Sequence, residues 1–410
     1  MATRVGGHAL KYPGLEFRSP KNRKIFRVLR RGRALIVSAM PNLNRGAKLR
    51  RPHGLFKELD AFLRDAAKSG VVPGAVAYVG RSGGVAHRVA AGSRALLPRR
   101  VRMTLSTIFD LASLTKVLVT APLVVEAGVR GELSLLDPVE RWIEETRRSE
   151  VGSLPLHLLL THTAGFVPDN PMEDYRGSKR ALLAAIAREP LEASPGSKFI
   201  YSDVGYILLQ AVLERRFGAR LDTLAEERIF QPLRFRDTRF GTRARDRSRV
   251  APTERVRGVW LKGRVHDPRT RSKALGGIAG HAGVFGTGEE VARFASMILA
   301  GGVSAGSRIL SEATVHAMTT NQAAGGVGAR RGFGFDIESP YAAPRGRLFS
   351  RDSFGHSGWT GVSLWIDPAC DGYLVLLTNS IHPNGHKDLK PFRSEAATLA
   401  ARGLGVAVTS

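Results

Sequence analysis

The spacing of apolar positions changes character along the chain, and those changes outline its elements. His53 to Gly70 (HGLFKELDAFLRDAAKSG) carries apolar residues at helical spacing on one side, which predicts an amphipathic helix closed by Gly70. GAVAYVG and VAHRVAAG follow around the turn RSGG and predict a hairpin. A Leu- and Ala-rich middle region then reads as helices broken by Gly and Pro, among them SKRALLAAIARE, DVGYILLQAVLERRFG and EEVARFASMILAGG. Near the end GVSLWID and GYLVLLTN are short β-rich runs joined by the turn PACD, and SEAATLAARGLG closes the chain as a helix. Helix and strands at both ends, with helices between, predict an α+β domain whose sheet is completed by the two ends of the chain.

One predicted helix departs from the amphipathic pattern. FDLASLTKVLVTAPLVVEAG (Phe109 to Gly128) is apolar almost all round and is expected to be buried, yet it contains Lys116. A buried amine costs free energy unless it is partnered or neutral. Ser113 lies three residues earlier, on the same face one turn away. A helix N-terminus favours an oxyanion and disfavours an ammonium, so a desolvated Lys116 can act as a base toward Ser113. Taken alone, the pair fits equally a structural lysine that reaches solvent.

Composition narrows the class. A chain of 410 residues with 43% hydrophobic content buries a large core. No apolar run is long enough to span a bilayer, so an integral membrane protein is not expected. The only cysteine is Cys370, which excludes an internal disulfide and a cysteine-based metal site. There are 62 basic residues against 36 acidic ones, a formal charge of +26, and half of that excess lies in residues 1–52. SPKNRKIFRVLRRGRALIV reads either as a tether for an anionic surface or as the start of an arginine-biased chain, without the aromatic interleaving of a nucleic-acid site. ALIVSAM is short and far from Met1 for a signal peptide, so the sequence as it stands reads as cytoplasmic, or as periplasmic or secreted if the true start differs. Residues 1–52 are expected to be a poorly ordered basic extension. Residues 53–410 are expected to be the folded domain, with sheet from about 53–112 and 325–410 and helices from about 113–324.

Two further stretches complete a pattern. PGSKFIYSDVGYILL puts Tyr201, Ser202 and Asp203 at the mouth of a helix, and FGHSGWTGVSLWIDP puts His356, Ser357 and Gly358 at the start of a strand. SLTK, YSD and HSG, in that order, resemble the S-x-x-K, Y-x-N and K-T-G motifs of the serine β-lactamase and penicillin-binding-protein superfamily, nearest its class C-like serine hydrolases. LLTHTAGF, LGGIAGHAGVFGTGEEVARF and SLWIDP add to the likeness, which covers about residues 55–385. The resemblance implies a β-lactamase/transpeptidase-like α+β fold, an antiparallel sheet flanked by helices with a mainly helical second region. It also implies a serine hydrolase acting through an acyl-enzyme on an ester, amide or D-amino-acid peptide bond, without cofactor or metal. The alternative is a non-turnover penicillin- or peptidoglycan-fragment-binding protein or sensor on the same fold.

Carried across by position, the resemblance makes Ser113 the nucleophile, Lys116 its basic partner and Tyr201 the proton shuttle. The backbone N–H groups of Ser113 and Trp359 would form the oxyanion hole, with Trp359 on an edge strand. Asp203, His356, Ser357 and Gly358 would face the substrate, a small-molecule or cell-wall-derived peptide or ester; no nucleic acid is required. Two positions depart from the pattern. Asp203 replaces an amide; it would favour the ammonium form of Lys116 and shift work to Tyr201, or else only cap the following helix. His356 replaces a lysine, exchanging a fixed cation for a partly charged ring, which lowers the expectation of strong β-lactamase activity. His162 reads as structural, and His281 as part of a glycine-rich turn or a substrate-facing loop. His266–Asp267 and His382/His386 lack the compact ligand set of a metal site. APTE and VHD look typical of a branch of the family with members fused to glycosidases acting on cell-wall sugars, a pointer to peptidoglycan-derived substrates.

Overall fold

Along Gly74–Arg81 every residue but the last is buried, although strand side chains alternate between faces. Val76 and Tyr78 enter one apolar core, Ala75, Ala77 and Val79 another. Gly372–Thr378 repeats the pattern, with Val375 and Leu377 on the first side and Leu374 and Leu376 on the second. These runs are apolar without alternation because both faces are covered. The computed structural model describes residues 54–407, and the reading of residues 1–52 falls outside them.

The main sheet is antiparallel and eight-stranded, in the order Arg330–Arg331, Asp336–Glu338, Phe354–Ser357, Ser363–Asp367, Gly372–Thr378, Gly74–Arg81, Gly84–Ala95, Val101–Arg102. Sequence-distant ends thus meet at its centre, where Ala75 pairs with Thr378 and Gly80 with Tyr373. On one face lie the helices Lys57–Lys68 and Lys390–Gly403, whose Leu59, Leu63, Phe392, Ala396 and Ala400 fill the second core. The other face carries helix Gly288–Leu299 and, beyond it, the helical region. At the centre of that region is Val204–Phe217, buried continuously from Val204 to Leu213 and ended by Gly218 in the left-handed conformation.

The helix after Ser113 is not uniform. A π turn runs from Lys116 to Thr120, with the Ala121 N–H reaching back to the Lys116 carbonyl, and an α-helix continues from Ala121 to Val129. Pro122 has no N–H to give to Leu118, so the ladder is interrupted where the turn widens. Its flank Phe109–Asp110 pairs with Val284–Gly286, which also pairs with Arg239–Phe240. This small sheet ties the serine's approach to the glycine-rich loop. Gly280 in that loop lies against the central helix; a Cβ there would stand 2.0 Å from the Tyr206 carbonyl oxygen.

One expectation is corrected. HSG ends the strand Phe354–Ser357 instead of starting one, and Trp359 sits in the turn beyond, not on a strand. That strand meets Asp336–Glu338 only at the pair Asp336/Gly355, so His356 and Ser357 have one open side. Close packing at Gly355 sets the strand's position, since a Cβ would lie 2.2 Å from the Trp365 ring and 2.3 Å from the Leu364 carbonyl oxygen. Gly355→Ala is therefore expected to destabilise the fold by about 1–3 kcal/mol, read as a lower urea midpoint with unchanged m-value.

Candidate active site

Ser113 follows a strained residue. Ala112 has φ of +46°, a left-handed conformation uncommon without glycine. The buried Asp110 carboxylate holds it there, accepting the Ala112 N–H at 2.9 Å. The other Asp110 oxygen accepts the His266 N–H at 2.7 Å and faces His266 Nδ1 at 3.2 Å. The turn thereby presents Ser113 ahead of a helix whose next residues are buried.

Lys116 is wholly buried, and its Nζ donates to Ser113 Oγ at 3.1 Å and to Asp203 Oδ1 at 2.6 Å. It also lies 4.8 Å from the centre of the Tyr201 ring. Burial alone would lower its pKa, but Asp203 and Tyr201 together outweigh burial and hold it above the ordinary lysine value. Lys116 is thus a paired ammonium, which overturns the expectation of an uncharged amine and agrees with the carboxylate's predicted effect. The alternative role of Asp203 fails: it occupies the N-cap position of Val204–Phe217 but its side chain makes no cap hydrogen bond, because it is turned to Lys116.

Tyr201 lines the same pocket as Ser113, with the Lys116 ammonium against its ring, and burial raises its pKa despite that charge. Its ring is stacked on His162 at 4.4 Å between centroids. His162 (φ +57°) accepts the Ser202 N–H on Nδ1 at 3.1 Å and stacks on Tyr206 at 5.0 Å. It is a positioning residue for the phenol, a role that sequence reasoning left at "structural"; the THTAGF turn was its only mark.

His356 is buried, with Nδ1 2.8 Å from the Ser357 carbonyl oxygen. A carbonyl only accepts, so Nδ1 carries the proton and Nε2 presents a lone pair. Burial first, then Lys116 and Arg331, push its pKa well below 6.5. The expected partial charge is absent: the ring is neutral because it is buried, beside cations the site already holds. Gly358 permits the strand end to reach the turn before Ser113, since a Cβ would lie 3.0 Å from Ala112 Cβ and 3.0 Å from the Leu111 carbonyl oxygen. Arg393 fixes the turn that follows, donating to the Gly358 and Val362 carbonyls at 2.9 and 3.2 Å. Among the described residues, the N–H groups of Ser113 and Trp359 are not committed to a backbone carbonyl.

Ser113, Tyr201, Asp203, His356, Ser357, Gly358 and Trp359 line one cavity of about 570 Å³, with Lys116 buried behind it. Trp359 is 56% exposed at the rim, its ring stacked on His386 at 3.9 Å. His281 also lines the cavity, its Nε2 2.9 Å from Asp267 Oδ2 and 4.0 Å from Asp203 Oδ2. Asp267 is held below its ordinary pKa: burial opposes ionisation, but His281 and Thr270 outweigh it. His382 faces away, its Nε2 accepting the Leu96 N–H at 3.0 Å.

The Beta-lactamase family model matches residues 59–398. A protein of Escherichia coli (strain K12) named "Putative D-alanyl-D-alanine carboxypeptidase" is 31% identical over 342 residues, covering 75% of this chain and 78% of that protein. The fold is shared with EstCE1, a hydrolase with promiscuous acyltransferase activity (TM-score 0.68, 23% identity, 84% of this chain and 98% of that one). It is shared equally with a penicillin-binding-protein homologue from Caulobacter crescentus (TM-score 0.69, 22% identity, 85% of this chain and 98% of that one).

Two buried neutral rings give a pH prediction. His162, like His356, is held well below 6.5, by burial first and then by Arg331 and Lys116. Below that value the unfolded chain takes up protons that the folded one refuses, so stability falls as pH drops, by about 1.4 kcal/mol per pH unit for each ring. Urea unfolding between pH 7 and 5 is expected to show this loss, with a shallower slope in His162→Gln.

Proposed function

The chain belongs to the beta-lactamase family and is a serine hydrolase, and we propose that Ser113 is its acylated nucleophile. What supports the reading is the contact of one buried ammonium with the Ser113 hydroxyl, the Tyr201 ring and the Asp203 carboxylate. The bond cleaved is an ester, amide or D-amino-acid peptide bond. The carboxypeptidase name of the Escherichia coli relative supports the last of these.

The proton inventory sets the mechanism. Lys116 and Tyr201 both hold their protons at rest, so neither takes another directly. As Ser113 Oγ attacks the carbonyl carbon, its proton passes to Lys116 Nζ while Lys116 passes one to Asp203 Oδ1. Lys116 remains an ammonium, and Asp203 becomes a neutral acid. The carbonyl oxygen gains charge at the Ser113 and Trp359 N–H groups, whose uncommitted state supports that role. When the tetrahedral species collapses, the leaving group takes the Tyr201 proton, and the phenolate recovers one from Lys116, which is refilled by Asp203. Water then enters by the same route in reverse. The neutral Nε2 of His356 and the Ser357 hydroxyl are suited to receive and orient an N–H or O–H of the substrate.

Fluorophosphonate labelling followed by digestion is expected to place the adduct on Ser113 and to fail in Ser113→Ala, which also loses p-nitrophenyl ester hydrolysis. An adduct elsewhere would reject the assignment; a stoichiometric adduct without turnover would select the binding-protein alternative. Tyr201→Phe is expected to lower turnover by about 10²–10⁴-fold with unfolding unchanged.

Asp203→Asn tests the relay. Without the carboxylate, the acid limb of kcat/KM rests on Lys116, which has to lose a proton before it can serve as a base, although burial lowers its pKa. The limb should move to higher pH and the rate at pH 7 fall by about 10²-fold. An unmoved limb would remove Asp203 from the proton path.

A further inference from the structure

A second cavity, of about 680 Å³, lies beside the small hairpin formed by Arg255–Val256 and Val259–Trp260. It shares no lining residue with the catalytic cavity. Arg247, Arg257, Lys262 and Arg264 line it together with Trp260, and no acidic residue does. Arg271, a fifth lining cation, is neutralised by Glu254 at 3.7 Å, and the neighbouring Arg249 by Asp237 at 2.5 Å. The other four lining cations form no ion pair among the described residues, although many exposed arginines elsewhere do.

Charge of one sign gathered around a concavity repels itself and lowers the cost of receiving the opposite sign. Lys262 records that repulsion: burial, then Arg94, Arg99 and Arg247, push its pKa below the ordinary value. Arginine forks match phosphate oxygens in geometry as well as charge. Trp260 gives the cavity a fixed apolar wall, its ring held edge-on by His382 at 4.5 Å. Val259, 65% exposed at the hairpin's turn, leaves an apolar tip beside the cations.

We propose that this cavity is a binding site for an anion carrying several phosphate groups, either free in solution or presented together as the headgroups of a lipid surface. The reading is independent of the chemistry at Ser113. Four of the lining cations have no carboxylate partner among the described residues, and a polyphosphate or a cluster of headgroups would neutralise them.

The test uses the full chain and two triple variants of equal charge change. One is Arg247→Glu/Lys262→Glu/Arg264→Glu; the other is Lys57→Glu/Lys68→Glu/Arg188→Glu, on exposed and unpaired positions away from the cavity. Calorimetric titration with inorganic pyrophosphate reads the soluble source. Flotation with phosphatidylcholine vesicles, with and without phosphatidylglycerol, reads the lipid source. In at least one arm the cavity triple is expected to weaken binding about ten-fold or more, and the matched triple to stay within about two-fold of the parent. Pyrophosphate binding alone identifies a free phosphate ligand; vesicle binding, with or without it, identifies headgroups. Equal weakening by both triples would reduce the effect to overall charge and overturn the site, as would no binding by the parent in either arm. Fluorophosphonate labelling of Ser113 checks that the variants are folded, and Lys262→Gln, expected to weaken binding in the same arm, stands in should the triple misfold.

Discussion

The ion pair between Lys116 and Asp203 is the contact on which the site depends. An ammonium with no solvent exposure is tolerable only with a partner, and removing one member of a buried pair costs about 3–5 kcal/mol. The pair joins the helix after Ser113 to the entrance of the central helix Val204–Phe217, its two residues 87 apart in sequence. Once the amine is fixed, its remaining directions are fixed with it, toward the Ser113 hydroxyl and the Tyr201 phenol. His162 completes the arrangement by closing the far face of the phenol ring.

The same economy of movement governs the other bank of the cavity. The sheet is buried on both faces at its centre, so its strands are set by packing and not by solvent. The strand ending in HSG inherits that rigidity through Gly355, wedged against Trp365, and delivers Gly358 onto the Ala112 turn. The turn is strained, and the strain is held by Asp110 from below and by the strand end from above, with Thr360 Oγ1 donating to the Asp110 carbonyl at 2.8 Å. Serine, lysine, phenol and strand end therefore form one constrained unit, built from residues spread between Asp110 and Arg393.

Much of this was legible in the sequence where local pattern and tertiary demand coincide. The hairpin, the helix closed by Gly218 and the helix after Ser178 carry period and cap signals that survive in the fold. SLTK, YSD and HSG located the cavity because their order is independent of any one residue's environment. The protonation states were harder, since they depend on distances between segments. The charge of Lys116 follows from a carboxylate 87 residues away, and that of His356 from burial among Lys116 and Arg331. The strand containing HSG was misplaced because Phe354–Ser357 is short and holds a glycine, so the stronger β pattern after it drew the boundary forward. The π turn leaves one trace in the letters, Pro122, which has meaning only once the ladder ahead of it is seen.

The two departures from the superfamily pattern are best understood together, as a change in the charge of the site. The superfamily pattern sets the S-x-x-K lysine beside an amide in Y-x-N and places a second lysine, a fixed cation, in K-T-G. Here Lys116 is neutralised by Asp203 and the K-T-G lysine is a neutral His356, so the reacting groups carry no net charge. Arg393 donates from its guanidinium to the Gly358 and Val362 carbonyls. A substrate carboxylate meeting this end of the cavity finds an imidazole lone pair where the pattern supplies an ammonium, while Arg269, Arg331, Lys387 and Lys390 also line the cavity. Under the proposed reading, recognition of a charged group would fall to those side chains, and the strand end is left to a neutral donor such as a substrate N–H or O–H.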